Sequence, residues 1–165
     1  MTRIPLLTAS FVAATLLAVA ASASPGHVGS EAAPYGQQGD VRKATKTVKI
    51  EASEIKFNVT ELKFRVGETV KFVLINKGQQ DHELTIGDAA MQQEHRKMML
   101  DMASMPNMDM TKMSGHGHSA DSMVTAKPGE TKELVWQFTK AGMFEFACNL
   151  PGHAEVGMTG KIVVS

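Results

Sequence analysis

From Thr45 onward, hydrophobic and polar positions alternate in short runs: "TVKIEA", "IKFNVTELKFRV", "TVKFVLIN" and "HELTIG", then, after a break, "ETKELVWQFTKAGMFEFACNL" and "GKIVVS". Runs of Val, Ile, Phe and Thr with a period of two are what strands with one buried face require. Turns at Gly67-Glu68 and Lys77-Gly78 punctuate them. Because no helical pattern separates one run from the next, the text predicts an all-β fold, an antiparallel sandwich. The alternation also assigns faces. Phe144, Phe146 and Cys148 share one side of "GMFEFAC", and His82, Leu84 and Ile86 share one side of "DHELTI", so the thiol and the imidazole both point inward.

Three segments depart from this pattern. Residues 1–23 carry Arg3, an apolar run from Phe11 to Ala20 and a small-residue cleavage site, Ala21-Ser22-Ala23, as a secretory signal does, which predicts an exported, periplasmic protein. Residues 24–44 are rich in Gly, Pro and polar side chains and predict a flexible leader. Residues from about 88 to 127 interrupt the strands and read as an insertion in a domain spanning 45–165.

Charge narrows the partners. The chain holds 17 Lys+Arg and 17 Asp+Glu, and removing Arg3 with the signal leaves a formal charge of −1, so neither nucleic acid nor an anionic membrane surface is an expected partner. No stretch reaches the roughly 20 apolar residues of a membrane span. The chain has 1 Cys. An odd thiol in an oxidising compartment is an intermolecular bridge, a reactive or metal-bound sulfur, or an inert buried side chain.

The neighbours of that thiol bear on the choice. Cys148, His153 and Met158 lie on one strand end and the loop after it, and His82 comes from a separate strand. One thiolate, two imidazoles and one thioether suit a trigonal His₂Cys copper centre with a weak axial Met. Zinc competes for Cys and His, but thioether serves it poorly. A Cys-His protease is the weaker alternative, because a thiol facing a sandwich core is badly placed to attack substrate.

The motif "C-N-L-P-G-H-A-E-V-G-M" followed by "TGKIVV" resembles the ligand loop of cupredoxins, the type 1 blue copper proteins, and its Cys-x4-His-x4-Met spacing is most similar to rusticyanin-like members. "NKGQQDHELTIG" resembles the strand that carries the first histidine. The resemblance implies a Greek-key β-sandwich, a single type 1 copper as cofactor, and His82, Cys148, His153 and Met158 as its ligands. One departure is Glu83, which stands where many cupredoxins have an Asn or Ser that braces the ligand loop.

The insertion has its own chemistry. Residues 91–123 hold nine of the 12 methionines and three of the 6 histidines. Met91, His95, Met98, Met102 and Met105 recur at helical spacing and predict one face of a helix ending before Pro106. Met98, Met102, Met105, Met108, Met110 and Met113 offer soft thioethers for Cu(I), and His116-Gly117-His118 offers imidazoles for Cu(II), so together they form a candidate auxiliary copper site. The segment resembles the Met- and His-rich insertions of periplasmic copper-tolerance cupredoxins. The expected role is non-enzymatic, a copper-binding redox protein serving copper tolerance, with copper ions and an unidentified redox protein as partners. The competing role is an electron shuttle between respiratory partners. A multicopper oxidase is disfavoured, because its trinuclear centre needs several His-x-His pairs and this chain has one.

Overall fold

The alternating runs fold as strands in the computed structural model, which describes residues 33–105 and 120–165. In chain order they are β1 (Gln37–Gln38), β2 (Lys46–Ser53), β3 (Lys56–Phe57), β4 (Glu61–Phe64), β5 (Thr69–Asn76), β6 (His82–Gly87), helix α1 (Ala89–Ala103), β7 (Met123–Ala126), β8 (Thr131–Gln137), β9 (Gly142–Ala147) and β10 (Thr159–Val164). One sheet has the order β1-β8-β5-β2-β3 and the other β4-β10-β9-β6-β7. The two inner faces meet in the expected β-sandwich. Its core is aromatic at the middle: the rings of Phe64 and Phe138 stack 4.9 Å apart, with Phe72 edge-on to Phe64 at 5.8 Å.

The sandwich is mixed where an antiparallel one was predicted. β2 runs parallel to β5, with Lys46 opposite Val70, and β10 runs parallel to β4, with Lys161 opposite Glu61. Parallel neighbours need a crossover. Here β3 and β4 form the connection between β2 and β5, with β4 joining the opposite sheet, so no helix was needed to signal it.

The leader is ordered from Ala33, against the prediction of flexibility over 24–44. Tyr35 is buried and stacks on Trp136 at 5.8 Å, and the Trp136 indole N–H donates to the Tyr35 carbonyl. β1 then pairs with β8. One aromatic anchor and two ladder residues hold a stretch whose composition is that of a loop. Residues 1–32, with the predicted signal, lie outside the described residues.

The insertion is also shorter than predicted. β7 lies within the span 88–127 and pairs antiparallel with β6, His82 opposite Ala126. What interrupts the sandwich is therefore the connection of a hairpin, residues 88–122. Asp88 caps α1 by accepting from the Met91 N–H at 2.8 Å, and the helix ends with Ser104, whose N–H bonds to the Leu100 carbonyl, two residues before Pro106. Its buried face is Gln92, His95, Met99 and Met102. The predicted stripe is corrected by one position: Met91 and Met98 are half-buried and Met105 is exposed, while Gln92 and Met99 take the inner places. The helix lies on β6 and β9, where polar partners, described below, fix its rotation.

Candidate metal centre

The first residue of β6 and the first residue after β9 bring the inward imidazole and the thiol together. His82, Cys148 and His153 are all buried, and one ligand atom from each lies within 4.8 Å of the others. Cys148 Sγ is 3.2 Å from His153 Nδ1, and the two imidazole rings are 5.2 Å apart. The 148–158 loop is held by its own backbone. His153 N–H donates to the Leu150 carbonyl, Met158 N–H to the His153 carbonyl, and Cys148 N–H to the Met158 carbonyl, at 3.0, 3.0 and 3.1 Å. Three of the four predicted ligands are thus fixed against one another before any ion is considered. Met158 has no exposed surface. Just beyond it, Gly160 lies opposite Phe146, whose ring occupies the space a Cβ would need.

The donors suit a soft or borderline metal. Neither ring nitrogen of His82 has a hydrogen-bond partner among the described residues. A buried imidazole with both nitrogens unsatisfied is costly, and a metal bond supplies one partner. Nε2 lies close to Gly78, where an added Cβ would come within 2.9 Å of it. Burial, with a smaller contribution from His153, lowers the His82 pKa and keeps the ring neutral, the form that binds metals. Burial pushes the Cys148 thiol up to about 12, so without a metal it keeps its proton. A bound cation reverses that preference and releases the proton. The set fits copper, which takes thiolate, imidazole and thioether together.

Glu83 does brace the ligand loop. Its N–H donates to Cys148 Sγ at 3.2 Å, a bond that depends on strand register and not on side-chain type. Its carboxylate faces away from the core, under α1, and is itself buried. There it accepts from the Thr85 hydroxyl, from the Asn149 N–H at 3.4 Å, and from His95 Nε2 at 3.1 Å. Gln92 completes the layer by donating to the Thr85 and Glu145 carbonyls and accepting from Asn149 Nδ2 at 2.7 Å. Arg96 donates to Asn149 Oδ1 at 3.0 Å and pairs with Glu145. The residues that follow two predicted ligands, Glu83 and Asn149, are therefore held by the helix of the insertion. In the sequence Glu83 stands out only as a departure and His95 only as part of a helix face, while Gln92, Arg96 and Asn149 carry no assigned role. The available signal was the polar pair at i and i+3 on a helix beside a strand bearing an unexplained acid.

The candidate auxiliary residues are not gathered at this centre. Met102 is buried under α1, Met98 is half-buried and Met105 half exposed. Met108, Met110, Met113, His116 and His118 lie outside the described residues. No described helix is long and apolar enough to cross a membrane.

Known proteins resemble this chain over most of its length. The profile of copper binding proteins of the plastocyanin/azurin family matches residues 44–165. A protein of Pseudomonas aeruginosa named copper-resistant cuproprotein CopI is 36% identical over 179 residues, covering 96% of each chain. One of the same name from Rubrivivax gelatinosus is 40% identical over 162 residues, covering 92% of each. Among solved structures, auracyanin B superposes with a TM-score of 0.60 at 16% identity, covering 79% of this chain and 94% of that one, a likeness of fold.

Proposed function

The chain belongs to the plastocyanin/azurin family of copper-binding proteins, and on that footing we propose that it is a periplasmic type 1 copper protein serving copper tolerance. In this reading His82, Cys148 and His153 bind one copper, and Met158 is its weak axial ligand. The observation that carries it is the buried Cys148–His82–His153 cluster, with all ligand atoms within 4.8 Å. Copper would supply a one-electron couple between Cu(I) and Cu(II). The protein's part is to hold the donors still. The three backbone bonds of the ligand loop and the Glu83 N–H on the sulfur resist the movement that either oxidation state alone would favour. Cys148 has no exposed surface, which supports a non-enzymatic role, since no substrate reaches the thiol. Export is supported by the signal-like pattern of residues 1–23. Copper tolerance is supported by the names of the two bacterial relatives and by the Met- and His-rich insertion.

A copper titration followed by visible spectroscopy tests the centre. An intense band saturating at one Cu(II) equivalent is expected, and a colourless protein that prefers zinc would end the type 1 reading. A second titration addresses the insertion. Replacing Met108, Met110 and Met113 by Leu and His116 and His118 by Ser should leave that band intact, lower the total copper bound, and make the host more copper-sensitive. Unchanged stoichiometry and tolerance would favour the electron-shuttle role instead. These substitutions spare α1, whose removal would disturb Glu83.

The axial position is separable from the rest. Met158→Leu should keep copper bound, with affinity within about tenfold of the parent, and raise the reduction potential, because a weak ligand that stabilises Cu(II) is lost. Voltammetry of the variant measures this. Complete loss of copper would make Met158 a principal ligand.

A further inference from the structure

Glu83 and Asn149 each follow a predicted ligand and turn their side chains the other way, under α1, where both are buried. They differ in what holds them. Glu83 has a partner on its own strand, the Thr85 hydroxyl, whereas the Asn149 carboxamide is held chiefly by the helix. Asn149 Nδ2 donates to Gln92 Oε1 at 2.7 Å and to Glu83 Oε1 at 3.4 Å, and Asn149 Oδ1 accepts from Arg96 Nε at 3.0 Å.

The partners fix which way round both amides sit. A guanidinium only donates, so it takes the Asn149 oxygen and leaves the nitrogen for Gln92. Gln92, which has no exposed surface, donates from Nε2 to the Thr85 carbonyl at 3.0 Å and to the Glu145 carbonyl at 3.1 Å, so its oxygen is left for Asn149. The bonds therefore run in one direction, from Arg96 to Asn149 to Gln92 to one carbonyl on each of β6 and β9. Neither amide can turn over without setting donor against donor. Fastening α1 to the sheet would need only the two carbonyls and the Arg96–Glu145 pair, yet both helical side chains also converge on Asn149.

We infer that Gln92 and Arg96 are positioning residues of the candidate copper centre: through Asn149 they hold Cys148 from outside the sandwich. The bonds within the ligand loop fix Cys148 relative to His153 and Met158. The bonds from α1 fix the same stretch of chain relative to β6, where His82 sits. The inference takes its ligand set from the type 1 reading.

Arg96→Gln is the informative variant, because the guanidinium is partly exposed and its loss should leave the fold intact, as circular dichroism checks. In the metal-free protein, hydrogen exchange followed by nitrogen-15 NMR should be faster at the Asn149 backbone N–H by about tenfold or more, the factor that losing a hydrogen bond to a charged group carries. With copper bound, affinity should fall by about tenfold or more, as when an outer partner of a metal ligand is lost. The visible band should move, and electron self-exchange should slow, because a looser thiol relocates further between the two oxidation states. Gln92→Met, which removes the bonds to Asn149 and to both carbonyls, should act in the same direction. Arg96→Lys keeps the charge but not the planar fork that reaches Asn149 and Glu145 together, so it should not rescue. Full rescue by lysine would mean that charge alone matters and would overturn the inference. So would Arg96→Gln and Gln92→Met proteins that melt at a lower temperature but keep the parent's band, copper affinity and self-exchange rate, since both residues would then only fasten α1. Lys97→Gln, at an exposed position of the same helix, should leave every readout unchanged. A parent that binds copper without an intense band would end the type 1 reading alone, and copper affinity and Asn149 exchange would still decide whether Cys148 is held from the helix.

Discussion

Cys148→Ser is expected to abolish the intense visible absorption of the Cu(II)-loaded protein and to weaken copper binding by more than about 100-fold. Losing an outer partner of a metal ligand already costs roughly 10–100-fold, and this change removes the soft ligand itself. The colour depends on charge transfer from thiolate sulfur, which a serine hydroxyl does not supply. The fold should survive. The serine side chain is smaller than that of Cys148, and the Glu83 N–H that lies 3.2 Å from the sulfur can bond to an oxygen instead. Circular dichroism of the metal-free variant separates loss of a ligand from loss of structure. A folded variant that keeps an intense band would remove Cys148 from the centre.

Glu83→Leu is expected to be the most destabilising single change in the outer layer. It strips the acceptor from His95 Nε2, the Thr85 hydroxyl and the Asn149 N–H together, all buried. Each buried donor left unpaired costs about 1–3 kcal/mol, so a total of about 3 kcal/mol or more is expected. For a domain of this size that corresponds to a fall in Tm on the order of 10 °C. Glu83→Gln keeps one acceptor oxygen and should lose less. Since the bond to Cys148 Sγ comes from the backbone, copper-loaded Glu83→Leu should retain its band while shifting in wavelength and potential. A Tm within about 2 °C of the parent would mean that the carboxylate network contributes nothing net, contrary to the usual cost of an unpaired buried donor.

The candidate centre was legible because most of it lies in one loop. Cys148, His153 and Met158 are separated by fixed short spacings, and period-two alternation was enough to aim His82 and Cys148 inward. Strand faces were legible for the same reason. Strand direction was not, since alternation is identical in parallel and antiparallel neighbours, and β2 against β5 shows the consequence. β7 was hidden because four strand residues begin on the last methionine of a Met-rich text. The face of α1 was misjudged by one position because apolarity does not set its rotation. Hydrogen bonds from Gln92 to the Thr85 and Glu145 carbonyls, and from His95 to Glu83, do. Such pairings join residues on different elements, and no local pattern announces them.

The cluster also changes the topology of the chain. His82 begins β6 and Cys148 follows β9, and the adjacent Glu83 is 65 residues from Cys148 in sequence. An ion bound to both closes a ring that contains the whole insertion, as a crosslink would. Loops of that length lose the most freedom when pinned, and an ion held only by the folded arrangement adds its binding free energy to folding, about 4 kcal/mol at a thousand times its Kd. With an ion bound, the candidate centre would therefore be a clasp on the sandwich, fastening strands β6 and β9 at the end where the ligand loop leaves the sheet.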